Sequence, residues 1–269
     1  WSTSGSRVRR GVAIDGSTSG SRVRRGVAIA MGGVRLLPHL VWYLLASYIR
    51  SYRYFPPLLV FLIGLMLLYA NRPNPVMDSY AASSVLVYAV SAWIGAGFHG
   101  AIADAQEHIA AVHAGSVRAY LTGKALAALA CGLLLSVAAV AWPAASGSFE
   151  RSPGAGEWLT ALLAHAEMSL LGGLAALLLS HPVLKKGTRA SAALLLVLIL
   201  SIARNGVLRE IGDGFAPLFW LLPPAAPLVD WMTAPDKAPD MNGAAVWVWP
   251  LAYGGALWWL YMRLAERRM

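Results

Sequence analysis

The chain has 269 residues, of which 58% are hydrophobic and 13% charged, with a formal net charge of +9 and a mean hydropathy of +0.57. An ordinary soluble domain carries about 25% charged residues, so the composition leaves no room for a soluble catalytic domain and indicates a polytopic membrane protein. A single cysteine, Cys131, can form no intrachain disulfide and reads as a small core residue.

Residues 2–14 read STSGSRVRRGVAI, and residues 17–29 repeat those letters without a change. A repeat that builds structure drifts in sequence and carries an apolar face to stack, whereas this one is rich in Ser, Gly and Arg. Residues 1–30 are therefore expected to be disordered and additional to the working protein, with a basic membrane-surface arm as the alternative. Removing the stretch's six arginines and one aspartate from +9 leaves +4. Residues 31–269 read as a single membrane-spanning domain.

Within 36–55, Leu37, Leu40, Val41, Leu44, Leu45, Tyr48, Tyr52 and Phe55 recur at three- and four-residue steps. His39, Ser47, Arg50, Ser51 and Arg53 lie mostly off that stripe. The spacing predicts an amphipathic helix lying along the inner leaflet, with tyrosines at headgroup level. Six charge-poor runs follow, at 54–70, 81–102, 123–142, 158–180, 188–205 and 244–262. Each approaches the ~20 apolar residues that cross a ~30 Å hydrocarbon core. Backbone amides cannot stay unpaired in lipid, so helices are expected. The run 215–232 is also apolar, but it holds Pro217, Pro223, Pro224 and Pro227, and interior prolines break the helical ladder. It is expected to be an extracellular re-entrant element before the last helix.

With the N-terminus in the cytoplasm, the inside segments carry Arg35, Arg50, Arg53, Arg118, Lys124, Lys185, Lys186, Arg189, Arg263, Arg267 and Arg268, against Arg72, Arg151, Arg204, Arg209 and Lys237 outside. That bias is the one expected of cytoplasmic loops and puts both termini inside. Between spans two and three, 103–124 reads ADAQEHIAAVHAGSVRAYLTGK. Ile109, Val112, Val117, Tyr120 and Leu121 give it an intermittent apolar face; Asp104, Gln106, Glu107, His108 and Arg118 are polar. Gly115 and Ser116 predict a break between two short helices. The stretch reads either as a solvated loop or as a hairpin on which a cytosolic partner can push.

Taken together, the amphipathic helix ending YIRSYRYFPP, the six spans, the loop AQEHIAAVHAGSVRAYLTGK and the re-entrant stretch resemble the permease subunit of type-2 ATP-binding-cassette exporters over 31–269. The resemblance implies an all-α fold of six transmembrane helices behind an elbow helix, in the plasma or inner membrane. It implies two permease chains (a second copy or a related one), surrounded by lipid, above two separate ATPase subunits that carry the ATP and Mg. Gln106, Glu107, His108, Ile109, Val112, Arg118 and Tyr120 would then form the coupling helix. Tyr48, Arg50, Tyr52 and Arg53 of the elbow would border the same contact. The cargo would be a drug, antibiotic peptide or lipid, with no role for nucleic acid.

The chain lacks G-x-x-x-x-G-K-[ST]; Gly123-Lys124 is followed by Ala125 and has no glycine five positions before it. ATP binding through a P-loop on this chain is therefore not expected, nor is catalysis. Glu167 is the one acidic residue deep in a span, a group that is expensive in lipid and by default functional. It reads either as an intramembrane polar site, which would suit an ATP-independent secondary carrier, or as a protonated structural group. His165-Ala-Glu167 is not the zinc-binding H-E-x-x-H, and no metal site is expected. Ala89, Ala92, Gly95, Ala96, Gly97 and Gly100 allow close helix approach, either across a dimer seam or inside one subunit.

Overall fold

The computed structural model describes residues 36–179, 187–234 and 243–267. The duplicated segment, His181, Lys185, Lys186, Lys237 and Arg268 lie outside the described residues. The helices are α1 (Leu36–Arg50), α2 (Phe55–Leu68), α3 (Val76–His99), α4 (Asp104–His113), α5 (Val117–Ala145), α6 (Ala155–Leu178), α7 (Gly187–Ile202), α8 (Arg204–Ile211), α9 (Ala216–Phe219), α10 (Ala225–Thr233) and α11 (Gly243–Glu266). Among the described residues, strand-like pairing is confined to a bridge between Asn74 and Phe149.

Three helices, α3, α5 and α6, are each long and apolar enough to cross a membrane, and the pairs α1–α2 and α7–α8 raise the number to five if each bent pair is one span. Among the described residues, six spans are therefore not reached on length and hydropathy. The fifth run breaks at Ala203, where α7 and α8 diverge by 78°. The last run forms α11, as long as α3 at 24 residues. Its Trp and Tyr residues, Gly254, Gly255 and Pro250 keep it out of that set, although such aromatics are at home at a membrane surface.

The bundle is built around α6. Small residues let its backbone approach α3: a Cβ placed on Gly95 would stand 2.8 Å from the Gly173 carbonyl, and one on Gly172 would run into the Tyr88 carbonyl. Ala92 and Gly95 of the small-residue row of α3 thus pack inside the subunit against α6, while Gly97 meets Tyr48 of α1 and Gly100 meets Arg53. Several side chains left without water are satisfied across the same seams. His165 bonds the Ser83 hydroxyl at 2.9 Å and the Ala161 carbonyl at 2.6 Å. Ser136 of α5 donates to the His165 carbonyl at 3.0 Å, and Tyr80 donates to the Val140 carbonyl at 3.1 Å. Tyr88 and Ser201 meet at 2.8 Å and fasten α7 to α3. Such bonds cost little to form and much to leave unmade in an apolar interior.

The first helix is shorter than its stripe suggests. It ends at Arg50, and α2 leaves at 81° after a turn in which Tyr52 takes φ 57°. Leu44 and Tyr48 are buried as the stripe requires, while Tyr52 and Phe55 are 74% and 58% exposed because they lie beyond the helix end. Tyr48 stacks on Phe98 with centroids 4.3 Å apart, so α1 docks on the C-terminal end of α3. Leu40 and Leu44 lie against Gly123 of α5.

The proline-rich run 215–232 is no continuous helix. Pro217 stands in the first turn of α9, Pro224 caps α10 and Pro227 follows in its first turn, positions where a missing N–H is harmless. Ala225, Ala226, Leu228 and Met232 of α10 are buried.

Candidate functional site

The stretch 103–124 differs from two equal short helices. α4 covers Asp104–His113, but the second helix is the start of α5, one continuous helix of 29 residues. At 1.5 Å per residue that is roughly 43 Å, longer than the ~30 Å hydrocarbon core. The break is chemical. Gly115 has φ 79°, a backbone open to glycine at no steric cost. Ser116 then caps α5, its hydroxyl accepting the Ala119 N–H at 3.1 Å.

The two faces of α4 do not sort by hydropathy. Ile109 and Val112 are 58% and 78% exposed, whereas Glu107 is 7% exposed and Ala111 and Ala114 are buried beside it. Gln106, His108 and His113 share the outer surface with Ile109 and Val112. The reason is an ion pair. Lys124 of α5, itself 1% exposed, donates from Nζ to Oε1 of Glu107. The same ammonium lies 3.3 Å from Nδ1 of His99 at the end of α3, and His99 Nε2 meets the Leu177 carbonyl of α6 at 3.2 Å. A neutral imidazole donating to Leu177 and accepting from Lys124 satisfies both nitrogens. Tyr120 and Tyr261, fully buried, close the cluster, with the Lys124 ammonium 5.8 Å from the Tyr120 ring centroid. Burying two ions costs several kcal/mol each unless their geometry and extra hydrogen bonds compensate. Here residues of α3, α4, α5 and α6 supply that geometry and those hydrogen bonds.

The expected site residues thus divide. Glu107 and Tyr120 are part of the interior. Gln106, His108, Ile109, Val112 and Arg118 are exposed. Arg118 forms a two-pronged pair with Glu266 of α11, its Nε facing Oε1 and its terminal nitrogen 3.2 Å from Oε2. With the Arg118 side chain 72% exposed, such a pair is screened by water and holds little energy. Arg118→Ala is expected to leave the melting temperature of the purified protein unchanged. A clear drop in a thermal scan would mean that the pair fastens α5 to α11.

A recess of about 360 Å³ lies between α1 and α4, lined by Leu36, His39, Leu40, Tyr43, Ile109 and His113 among others. Tyr48 faces inward; Arg50, Tyr52 and Arg53 are exposed, and Arg53 lies against Gly100 at the end of α3. Glu167 lies far along α6 from this end and is 5% exposed. Sequence reasoning missed His99 and Lys124 as members of the α4 cluster. One signal was present: Tyr120 and Lys124 stand four apart, on one helical face, and a lysine that far into an apolar run needs a buried partner.

Among the described residues, no nucleophile stands beside a base at this end of the bundle. Among the described residues no three His, Cys, Asp or Glu side chains are placed to hold a metal ion. α4 is gripped by the bundle through its buried side and presents a mixed apolar and polar surface on the other. No family model, curated protein or solved structure matches the chain.

Proposed function

We propose that this chain is the permease subunit of an ATP-driven exporter, with six spans, an elbow helix α1 and both termini in the cytoplasm, working beside a second permease copy. ATP would be bound and hydrolysed by a separate ATPase seated on the exposed side of α4. The observation that carries the reading is the pairing of an outward apolar surface, Ile109 and Val112, with an inward ionic grip on Lys124. A push on α4 is delivered straight to α3, α5 and α6, because a charged pair in a low-dielectric interior cannot slip without stranding both charges. A solvated connector needs neither feature.

The test uses Ile109→Asp with Val112→Asp. Both positions are exposed, so folding is expected to survive, while co-purification of a P-loop ATPase from the native membrane and ATP-dependent export are lost. Unchanged assembly and transport would remove the coupling role of α4.

Orientation has its own test. In a Cys131→Ala background, Thr233→Cys on α10 is expected to react with a membrane-impermeant thiol reagent on intact cells. Arg267→Cys, just past α11, is expected to react only after the membrane is opened. Labelling of Arg267→Cys from outside would reverse the parity and defeat the six-span arrangement.

A further inference from the structure

Glu167 is nine-tenths buried in α6, and its Oε2 has no hydrogen-bond partner among the described residues. Its surroundings follow from the residues one turn away on either side. Leu170 meets Gly254 of α11, where an added Cβ would lie 3.0 Å from it. Ala164 belongs to a small apolar cluster with Met232 of α10, and Trp247 of α11 packs against that cluster. Residues three apart share a helical face, so the carboxyl lies on the strip of α6 turned toward α10 and α11.

Several titratable groups of the neighbouring elements are engaged elsewhere. Asp230 of α10 accepts from Asn205 at 2.6 Å, and Tyr253 of α11 donates to the Leu221 carbonyl at 2.6 Å. His165, on the same helix, bonds Ser83, and Tyr88 of α3 meets Ser201. Arg204 of α8, whose Nε has no hydrogen-bond partner among the described residues, lines a separate recess with Trp220 and Trp249. A bare carboxylate in such a place is prohibitively costly; a proton or a cation must neutralise it.

We propose that Glu167 is a proton–cation exchange site that recognises the charged group of a lipophilic cationic substrate. In the packed junction the carboxyl holds a proton. When α10 and α11 part from α6, the proton passes to water and the carboxylate pairs with the cation, one proton released for each cation held. The Trp247 indole supplies a face on which an organic cation is attracted. This rests on the exporter reading and specifies its cargo as a lipophilic cation.

The test is infrared difference spectroscopy on the full chain in lipid discs at neutral pH, without an ATPase. The wild-type protein is expected to show a carboxylic-acid carbonyl band that shifts in D₂O, is absent in Glu167→Gln, and disappears on adding tetraphenylphosphonium with release of protons to a pH dye. If the Gln variant does not fold, Glu167→Asp, which keeps the acid on a shorter stem, moves the band instead. A missing acid band, a band that neither variant changes, or a band that persists under tetraphenylphosphonium overturns the proposal. Any of these leaves the exporter reading standing, since that reading fails when the Ile109→Asp, Val112→Asp variant still assembles with the ATPase and transports, and not on this band.

Discussion

Lys124→Ala is expected to destabilise the protein by about 3–5 kcal/mol, the cost of leaving one member of a buried ion pair without the other. Glu107 would keep its place beneath α4 with no cation beside it, and His99 would lose the donor at Nδ1. The expected signs are a large fall in melting temperature in detergent and new protease cleavage near Gly115 as α4 comes away. Glu107→Ala alone strands the ammonium and is expected to cost a similar amount. Replacing both partners, as Glu107→Leu with Lys124→Leu, removes the uncompensated charge and is expected to recover most of the stability, since apolar replacements of buried pairs are often neutral. Those outcomes distinguish a grip from a surface contact. If Lys124→Ala melts with the wild type, the pair is not buried in the folded protein and α4 is not held as described.

Gly172→Ala is expected to cost about 3 kcal/mol, the upper part of the range for overpacking a core, because the new methyl would meet the backbone carbonyl of Tyr88 rather than a side chain able to turn away. The neighbouring Gly173 is the control. A Cβ there meets nothing within 4 Å, so Gly173→Ala is expected to be neutral, or stabilising by up to ~1 kcal/mol from helix propensity. The comparison is read as melting temperature for two substitutions of equal chemistry one residue apart. Equal values would show that α3 and α6 do not approach closely at this level. Because the seam lies inside the subunit, the proposed exporter would have to pair its two copies on another surface, such as the exposed Leu133, Leu134 and Val137 of α5 or Leu195, Leu196 and Ile199 of α7.

The apolar runs were enough to place α3, α5 and α6, because a helix must cover its own backbone polar groups wherever water is absent, whatever surrounds it. The four prolines of 215–232 likewise decided that no straight helix passes there, a purely local constraint. The amphipathic stripe of α1 was legible as far as Tyr48, and Gly115 with Ser116 marked the end of α4 and the start of α5. Each of these rests on neighbours in the sequence.

Three-dimensional packing decided what such signals could not. Hydropathy could not say which side of α4 is buried, since Glu107 turns inward only because Lys124, 17 residues on, waits beneath it. The same long-range partners made His99 a member of the cluster and turned Tyr120 into interior. The small residues of α3 were compatible with two seams until Gly172 and Gly173 lay across from them. The bends after Arg50 and at Ala203 likewise came from how the segments dock, Tyr48 on Phe98 and Tyr88 on Ser201. Composition and periodicity therefore determined that this chain is a bundle of apolar helices suited to a membrane. Which polar groups go inside, and against what, depended on pairings across the bundle, because a buried charge is tolerated only where a distant part of the chain supplies its partner.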